Sequence, residues 1–139
     1  MKKPGGFRRS PCPIASTLDL VGDKWSLLVV RDMLRGKSTY GELLGSPEGI
    51  PTNILADRLK RMQESGIIVK SVYQERPARF AYKLSEKGAA LGNILAAFVQ
   101  WGKEHIPNTR TLSETERDPG RGRSTRRSSR TRAGAVGGG

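Results

Sequence analysis

The sequence predicts a mainly α-helical domain carrying a single two-stranded β-hairpin, and three observations carry that prediction. Apolar residues recur at helical spacing in several short stretches, most clearly in "IPTNILADRLKRM" (50–62), where Leu55, Leu59 and Met62 fall at i, i+4 and i+7. The period changes once, past Gly66, to β-branched and aromatic residues in "IIVKSVYQ" and to alternation in "FAYKLS". Residues that cap or break helices stand at the edges of the helical stretches: Gly22, Asp23, Gly36, Thr39, Gly66, Ser85 and Pro107.

Taken in order, residues 1–10, with Pro4, Gly5 and Gly6, read as a flexible basic arm, and Pro11 and Pro13 prolong its extended character. "IASTLDLVG" is a short amphipathic helix stopped by Gly22. Asp23 suits the N-cap of "KWSLLVVRDML", whose Trp25, Leu28, Val29 and Met33 share a face and place Trp25 in the core. Thr39 and Glu42 match a capping box ahead of another short helix. After the turn "SPEG" comes the helix of residues 50–66, and "ERPAR" then joins two strands, with Pro77 near the hairpin tip. Ser85 can cap a final long helix in which Leu91, Ile94, Leu95, Phe98 and Trp101 form one apolar face until Pro107. From Asn108 to Gly139 large apolar residues are almost absent, so this Arg/Gly/Ser-rich tail is expected to be disordered, leaving residues 11–107 as the domain.

Net charge is +12 and the isoelectric point lies near 10.6, which directs attention to nucleic acid. The charge is uneven: residues 1–9 contribute four basic side chains and no acid, and residues 108–139 contribute eight Arg against three acids, leaving +3 for residues 10–107. Charge alone therefore does not single out the domain. Cys12 is the only cysteine, so an intrachain disulfide is impossible, as suits a reducing, cytoplasmic setting. No apolar run reaches the length of a membrane span, and Pro, Gly, Ser and Asp interrupt residues 4–23, so no signal peptide is expected. Catalytic readings fail for want of a Ser-His-Asp or Cys-His arrangement, a phosphate-cradling Gly-rich loop or paired carboxylates. His105, the sole histidine, has no cluster of ligands around it, so neither a metal nor another cofactor is expected.

Helix, helix, short turn, helix, hairpin, long helix is the order of a winged helix-turn-helix, in which the second helix of the turn motif enters the major groove of double-stranded DNA. The outer face of the 50–66 helix supplies the contacts. Thr52 and Asn53 stand at its N-terminus, where Asn can pair bidentately with adenine, and Ala56, Lys60 and Arg61 continue the face. Asp57 is awkward beside phosphates, though it can accept from cytosine N4. Arg58 borders the apolar stripe and reads equally as a phosphate contact or as a structural ion-pair partner. Arg76 and Arg79 flank the hairpin tip, where they suit phosphates or a narrow minor groove, and the N–H groups opening the helix at Thr39 suit another phosphate.

"CPIASTLDLVGDKWSLLVVRDML", "YGELL", "GIPTNILADRLKRMQESGII" and "YQERPARFAYKLSEKG", in that order, resemble the HxlR-type winged-helix transcriptional regulators of bacteria over about residues 11–105. The resemblance implies a homodimer on a pseudo-palindromic operator, with contacts from the N-terminal helix, which carries Leu18, and from the last helix. A dimer seam at Phe98 and Trp101 also follows because one small domain offers a long final helix too little surface to cover it. Gly41 and Pro51-Thr52-Asn53 depart from the family's frequent residues and bear on the operator sequence rather than the fold. The resemblance further marks Cys12 as a candidate redox sensor, its reactivity raised by Arg8 and Arg9, against the plainer reading of a thiol packed at the dimer interface. Repression is the expected sign. Two rivals stand beside it: an architectural protein coating nucleic acid through its tail, and a winged helix docking another protein. No effector ligand is legible.

Overall fold

The computed structural model describes residues 9–117. Their elements are α1 (Pro13–Val21), α2 (Ser26–Leu34), α3 (Tyr40–Leu44), α4 (Thr52–Glu64), β1 (Ile68–Glu75), β2 (Ala78–Leu84), α5 (Glu86–Ala89), α6 (Gly92–His105) and α7 (Leu112–Arg117). The chain divides after Leu95, inside α6, into two units. Helices α1–α5 and the antiparallel β1–β2 hairpin belong to the first, which is a winged helix-turn-helix; α7 and most of α6 belong to the second.

The core of the first unit follows the helical spacing. Leu55, Leu59 and Met62 of α4 are buried and meet Val29, Val30 and Met33 of α2, Leu43 of α3, and Ile67 and Ile68 at the entry to the hairpin. Burying each such side chain contributes about 1.5–3 kcal/mol. The buried stripe of α2 is Ser26, Val29, Val30 and Met33 rather than one led by Trp25 and Leu28. Ser26, Val29, Val30 and Met33 follow at i, i+3, i+4 and i+7 and so share one face; Trp25 is half-buried, with the Lys24 ammonium 5.2 Å from its ring centroid.

The ends of α4 are sharply set. Pro51 occupies the N-cap, and at the other end Ile67 N–H donates to Met62 O (2.8 Å) and Gly66 N–H to Gln63 O (3.1 Å), a Schellman closure. Gly66 permits it with φ +79°. In the hairpin Ile68 pairs with Leu84, Lys70 with Tyr82 and Val72 with Phe80, and a bulge at Tyr73 brings Gln74 opposite Arg79. A further hook, Tyr82 N–H to Ser38 O at 2.7 Å, ties β2 to the segment before α3.

Two expectations are corrected here. Ser85 does not open one long final helix: its Oγ accepts from Gly88 N–H and caps α5, which ends after one turn before α6 restarts at Gly92. Gly88 lies so close to Ile67 O that a Cβ would stand 2.1 Å from it, and Leu91 N–H closes back onto Gly88 O at 3.0 Å, tightening the turn out of α-helical register. Disorder from Asn108 onward also fails as far as Arg117. Thr111 and Glu114 form a reciprocal capping box at α7, and Lys103 Nζ lies 2.5 Å from Glu114 Oε2. The expected arm lies outside the described residues except for Arg9 and Ser10, and so does the tail from residue 118.

Candidate nucleic-acid interface

The face of α4 opposite its buried stripe is built by the same periodicity that builds the core. Thr52, Asn53, Ala56, Asp57, Lys60 and Arg61 are all exposed. Because Pro51 offers no side chain to cap the helix, the N-terminal N–H groups beside Thr52 and Asn53 receive no side-chain cap from the N-cap residue. Their positive end of the helix dipole therefore sits on the same surface as Lys60 and Arg61.

Four contacts hold this helix in place. Tyr40 donates its hydroxyl to Thr52 O at 2.9 Å, fixing the N-terminus of α4 to α3. Arg31 of α2 grips the intervening turn, with Nη1 2.8 Å from Glu48 Oε2, Nη2 2.7 Å from Glu48 Oε1 and Nη2 3.1 Å from Ser46 Oγ. The Arg31 hydrogen bond, outweighing burial, holds the Glu48 carboxyl at about 2. At mid-helix the Nε of Arg58 donates to Asp23 Oδ2 at 2.8 Å. Lys87 Nζ donates to Ser65 O at 2.6 Å at the far end.

Asp23 has two tasks. It accepts from Trp25 N–H, Ser26 N–H and Ser26 Oγ–H at the start of α2 while it receives Arg58. Burial pushes its carboxyl up, but the hydrogen bonds from Ser26 and Arg58 prevail and hold it well below the usual carboxylate range. Arg58 forms the ion pair that one of its two readings requires: its side chain is only 16% exposed and it engages Asp23 and Asp57.

At Thr39, where a phosphate contact is expected, the structure forms a capping box. Glu42 Oε1 accepts from Ser38 N–H (2.8 Å) and Thr39 N–H (3.2 Å), and Thr39 Oγ1 accepts from Glu42 N–H. The hairpin keeps its cations outward: Arg76 and Arg79 are exposed, and neither they nor Lys60 enter an ion pair among the described residues. Gln74 Nε2 braces the tip through Arg76 O and Pro77 O, both at 3.3 Å.

The expected dimer residues separate into two sets. Leu91 and Leu95 pack on the first unit's own core, and Ile94 is half-buried. Leu18 is exposed, lining an open apolar depression on α1 with Pro13, Ile14 and Thr17. In the second unit Phe98 and Trp101 are 61% and 60% exposed, and His105 lies beside the Trp101 ring. Cys12 is exposed at the N-cap of α1.

Tyr40, Arg31 and Glu48 escaped the sequence reading. A signal for Arg31 existed: Arg31-Asp32 interrupts the otherwise apolar "SLLVVRDML", and charges inside a buried helix require partners.

Comparison with known proteins matches residues 20–110 to the model of the HxlR-like helix-turn-helix family. The uncharacterized HTH-type transcriptional regulator sll1512 of Synechocystis is 37% identical over 95 residues, 68% of this chain and 70% of that protein. A second such regulator, Mb3122 of Mycobacterium bovis, is 34% identical over 94 residues; the match takes in 68% of this chain and only 59% of the mycobacterial protein. Among solved structures, PA1607, a candidate transcription factor, superposes with a TM-score of 0.66 at 39% identity, over 75% of this chain and 73% of its own. The redox regulator HypR in its reduced form superposes with a TM-score of 0.64 at 28% identity, over 69% of this chain and 95% of its own.

Proposed function

Because the chain belongs to the HxlR-like helix-turn-helix family of transcriptional regulators, we propose that it binds a pseudo-palindromic operator as a homodimer and represses transcription. The observation that carries this reading is the outer face of α4, where Asn53, Lys60 and Arg61 stand exposed on a helix tethered at both ends. Each subunit places α4 in a major groove, with half-sites about 34 Å apart. Asn53 reads adenine, Lys60 and Arg61 meet bases or phosphate, and Arg76 and Arg79 of the wing grip the flanking backbone. Arg58 and Thr39 support the surface rather than touch DNA. Leu18, Phe98 and Trp101 form the dimer seam, and the Arg-rich residues after 117 add salt-sensitive affinity. Repression follows because a dimer seated on a promoter obstructs polymerase. No chemistry is catalysed and no cofactor or metal is needed; the protein works in the cytoplasm.

The test is fluorescence anisotropy with DNA from upstream of its own gene against scrambled DNA, at about 150 mM salt. The protein with and without residues 118–139 is measured side by side. Cognate DNA bound on the order of a thousandfold more tightly by both forms supports the reading. Equal binding to both DNAs, lost with the tail, favours an architectural role instead.

A second reading rests on exposed Cys12 and on the likeness to HypR, a redox regulator. Oxidation of Cys12 to a mixed or intersubunit disulfide would change operator affinity. Diamide treatment should then shift the affinity of the native protein and leave Cys12→Ser unmoved.

A further inference from the structure

Asp57 is the acidic side chain within the N-terminal part of the exposed stripe of α4 that runs through Asn53, Ala56, Lys60 and Arg61, with Glu64 at its far end, and an unaccompanied carboxylate there would be driven from DNA by phosphate repulsion. It is not unaccompanied. Its Oδ2 accepts from Arg58 Nη1 and, at 3.4 Å, from Arg61 Nη1 in the i,i+4 position. Arg58 is itself fastened through Nε to Asp23 at the start of α2. The connected group Asp23, Asp57, Arg58 and Arg61 is therefore neutral, so the Asp57 carboxylate is compensated where it stands. The chain Asp23–Arg58–Asp57 also ties this carboxylate to the domain's second helix rather than leaving it on a free rotamer. Both recorded bonds fall on Oδ2, and Oδ1 accepts none among the described residues.

We infer that Asp57 is a specificity-determining residue that accepts a hydrogen bond from the N4 amino group of a cytosine in the major groove, and that Arg58 is its positioning residue. This rests on the reading that α4 enters the major groove. A carboxylate can only accept, so it is compatible with an exocyclic amino group and incompatible with the keto edges of guanine O6 and thymine O4. Adenine also offers an amino group, N6, but places the acceptor N7 beside it, which a carboxylate repels; cytosine has no such neighbour. Asn53, one turn earlier, has the amide that adenine needs. The face then reads two different bases through two side chains of different donor character. Arg58 acts at a distance: anchored by Asp23, it sets where the carboxylate stands.

Selection of binding sites from randomised DNA by the full chain, as wild type, Asp57→Asn, Asp57→Ala and Arg58→Lys, tests this, with thermal unfolding of each variant as a control for folding. Wild type should enrich one invariant cytosine per half-site, preferred over thymine by roughly tenfold to a hundredfold in competition binding. Asp57→Asn and Asp57→Ala should relax that single position while other positions keep their preference. Arg58→Lys, which keeps the charge but not the Nε bond to Asp23, should weaken the preference at the same position. A purely structural ion pair would lower the midpoint of unfolding and leave the selected sequence as it was, which overturns the inference while leaving sequence-specific binding in place. Selection of adenine rather than cytosine at that position overturns the assignment of the base. If wild type enriches no sequence at all, the DNA reading itself falls and this inference with it.

Discussion

Asp23 Oδ2 and Arg58 Nε stand 2.8 Å apart, joining the segment that leads into α2 to the middle of α4 across 35 residues of sequence. The pair is largely shielded, with side-chain exposures of 25% and 16%. Asp23 also accepts from Trp25 N–H and Ser26 N–H at the start of α2, so a single carboxylate braces the entry to one helix and the placement of the next but one. Arg58→Ala should remove a charge-assisted bond and leave part of the Asp23 acceptor unsatisfied, a loss of about 1–3 kcal/mol. Urea unfolding followed by circular dichroism measures it. If the midpoint is unchanged, the pair does not position α4.

Lys60, Arg76 and Arg79 should behave in the opposite way. They are exposed and enter no ion pair among the described residues, so alanine at each should leave the unfolding midpoint within about 0.5 kcal/mol. A cation that contacts phosphate should instead reduce the slope of log K against log salt by roughly one. Titrations on one duplex between about 50 and 200 mM salt separate the two classes. A stability loss without a change of slope would place these residues in the scaffold and not at DNA.

Much of this division between scaffold and surface was legible in the sequence, and what was legible was local. The stripe Leu55, Leu59, Met62 dictates which side of α4 is buried, and with it which side is free. Thr39 and Glu42 announce their capping box three residues apart, and Thr111 and Glu114 carry the same signature, overlooked because the residues around them are polar. Contacts formed only after folding were not legible. Arg31 meets Glu48 across 17 residues, and nothing in either neighbourhood identifies the other partner. The break between α5 and α6 depends on Ile67 O arriving beside Gly88, an approach that helix propensity does not encode. Arg58 shows the intermediate case: its position at the edge of the stripe gives it two uses, and the arrival of Asp23 supplies one of them.

The Arg31–Glu48 clamp has a pH signature. Glu48 is held at about 2, chiefly by the Arg31 hydrogen bond, against an ordinary value of 4.5. A depressed carboxylate stabilises the fold fully above its unfolded pKa, and that contribution is lost as pH falls through the window between about 4.5 and about 2. Glu48 is 37% exposed, so screening by solvent reduces the contribution to about 1 kcal/mol. Glu48→Gln should therefore be less stable than wild type at pH 7, and the difference should shrink as pH is lowered through that window. A difference independent of pH would mean that the ionised pair contributes nothing beyond packing.

Phe98 and Trp101 lie three residues apart on α6, and both keep about three-fifths of their surface in solvent. Aromatic side chains bury 150–250 Å² each when covered, so two of them left open on one helix form a patch that a second copy of this chain can cover. An isologous two-fold contact would pair each patch with its counterpart and bring two α4 helices to one operator. Trp101→Glu introduces a charge into the proposed seam without touching the buried core of the first unit, so the subunit should stay folded while the proposed dimer dissociates. Sedimentation velocity should show the mass falling from two chains to one. Operator affinity should drop with it, on the order of a hundredfold or more, because each half-site then binds alone. A Trp101→Glu protein that remains dimeric would move the seam away from α6 and leave α1, with Ile14 and Leu18 exposed, as the face to test next.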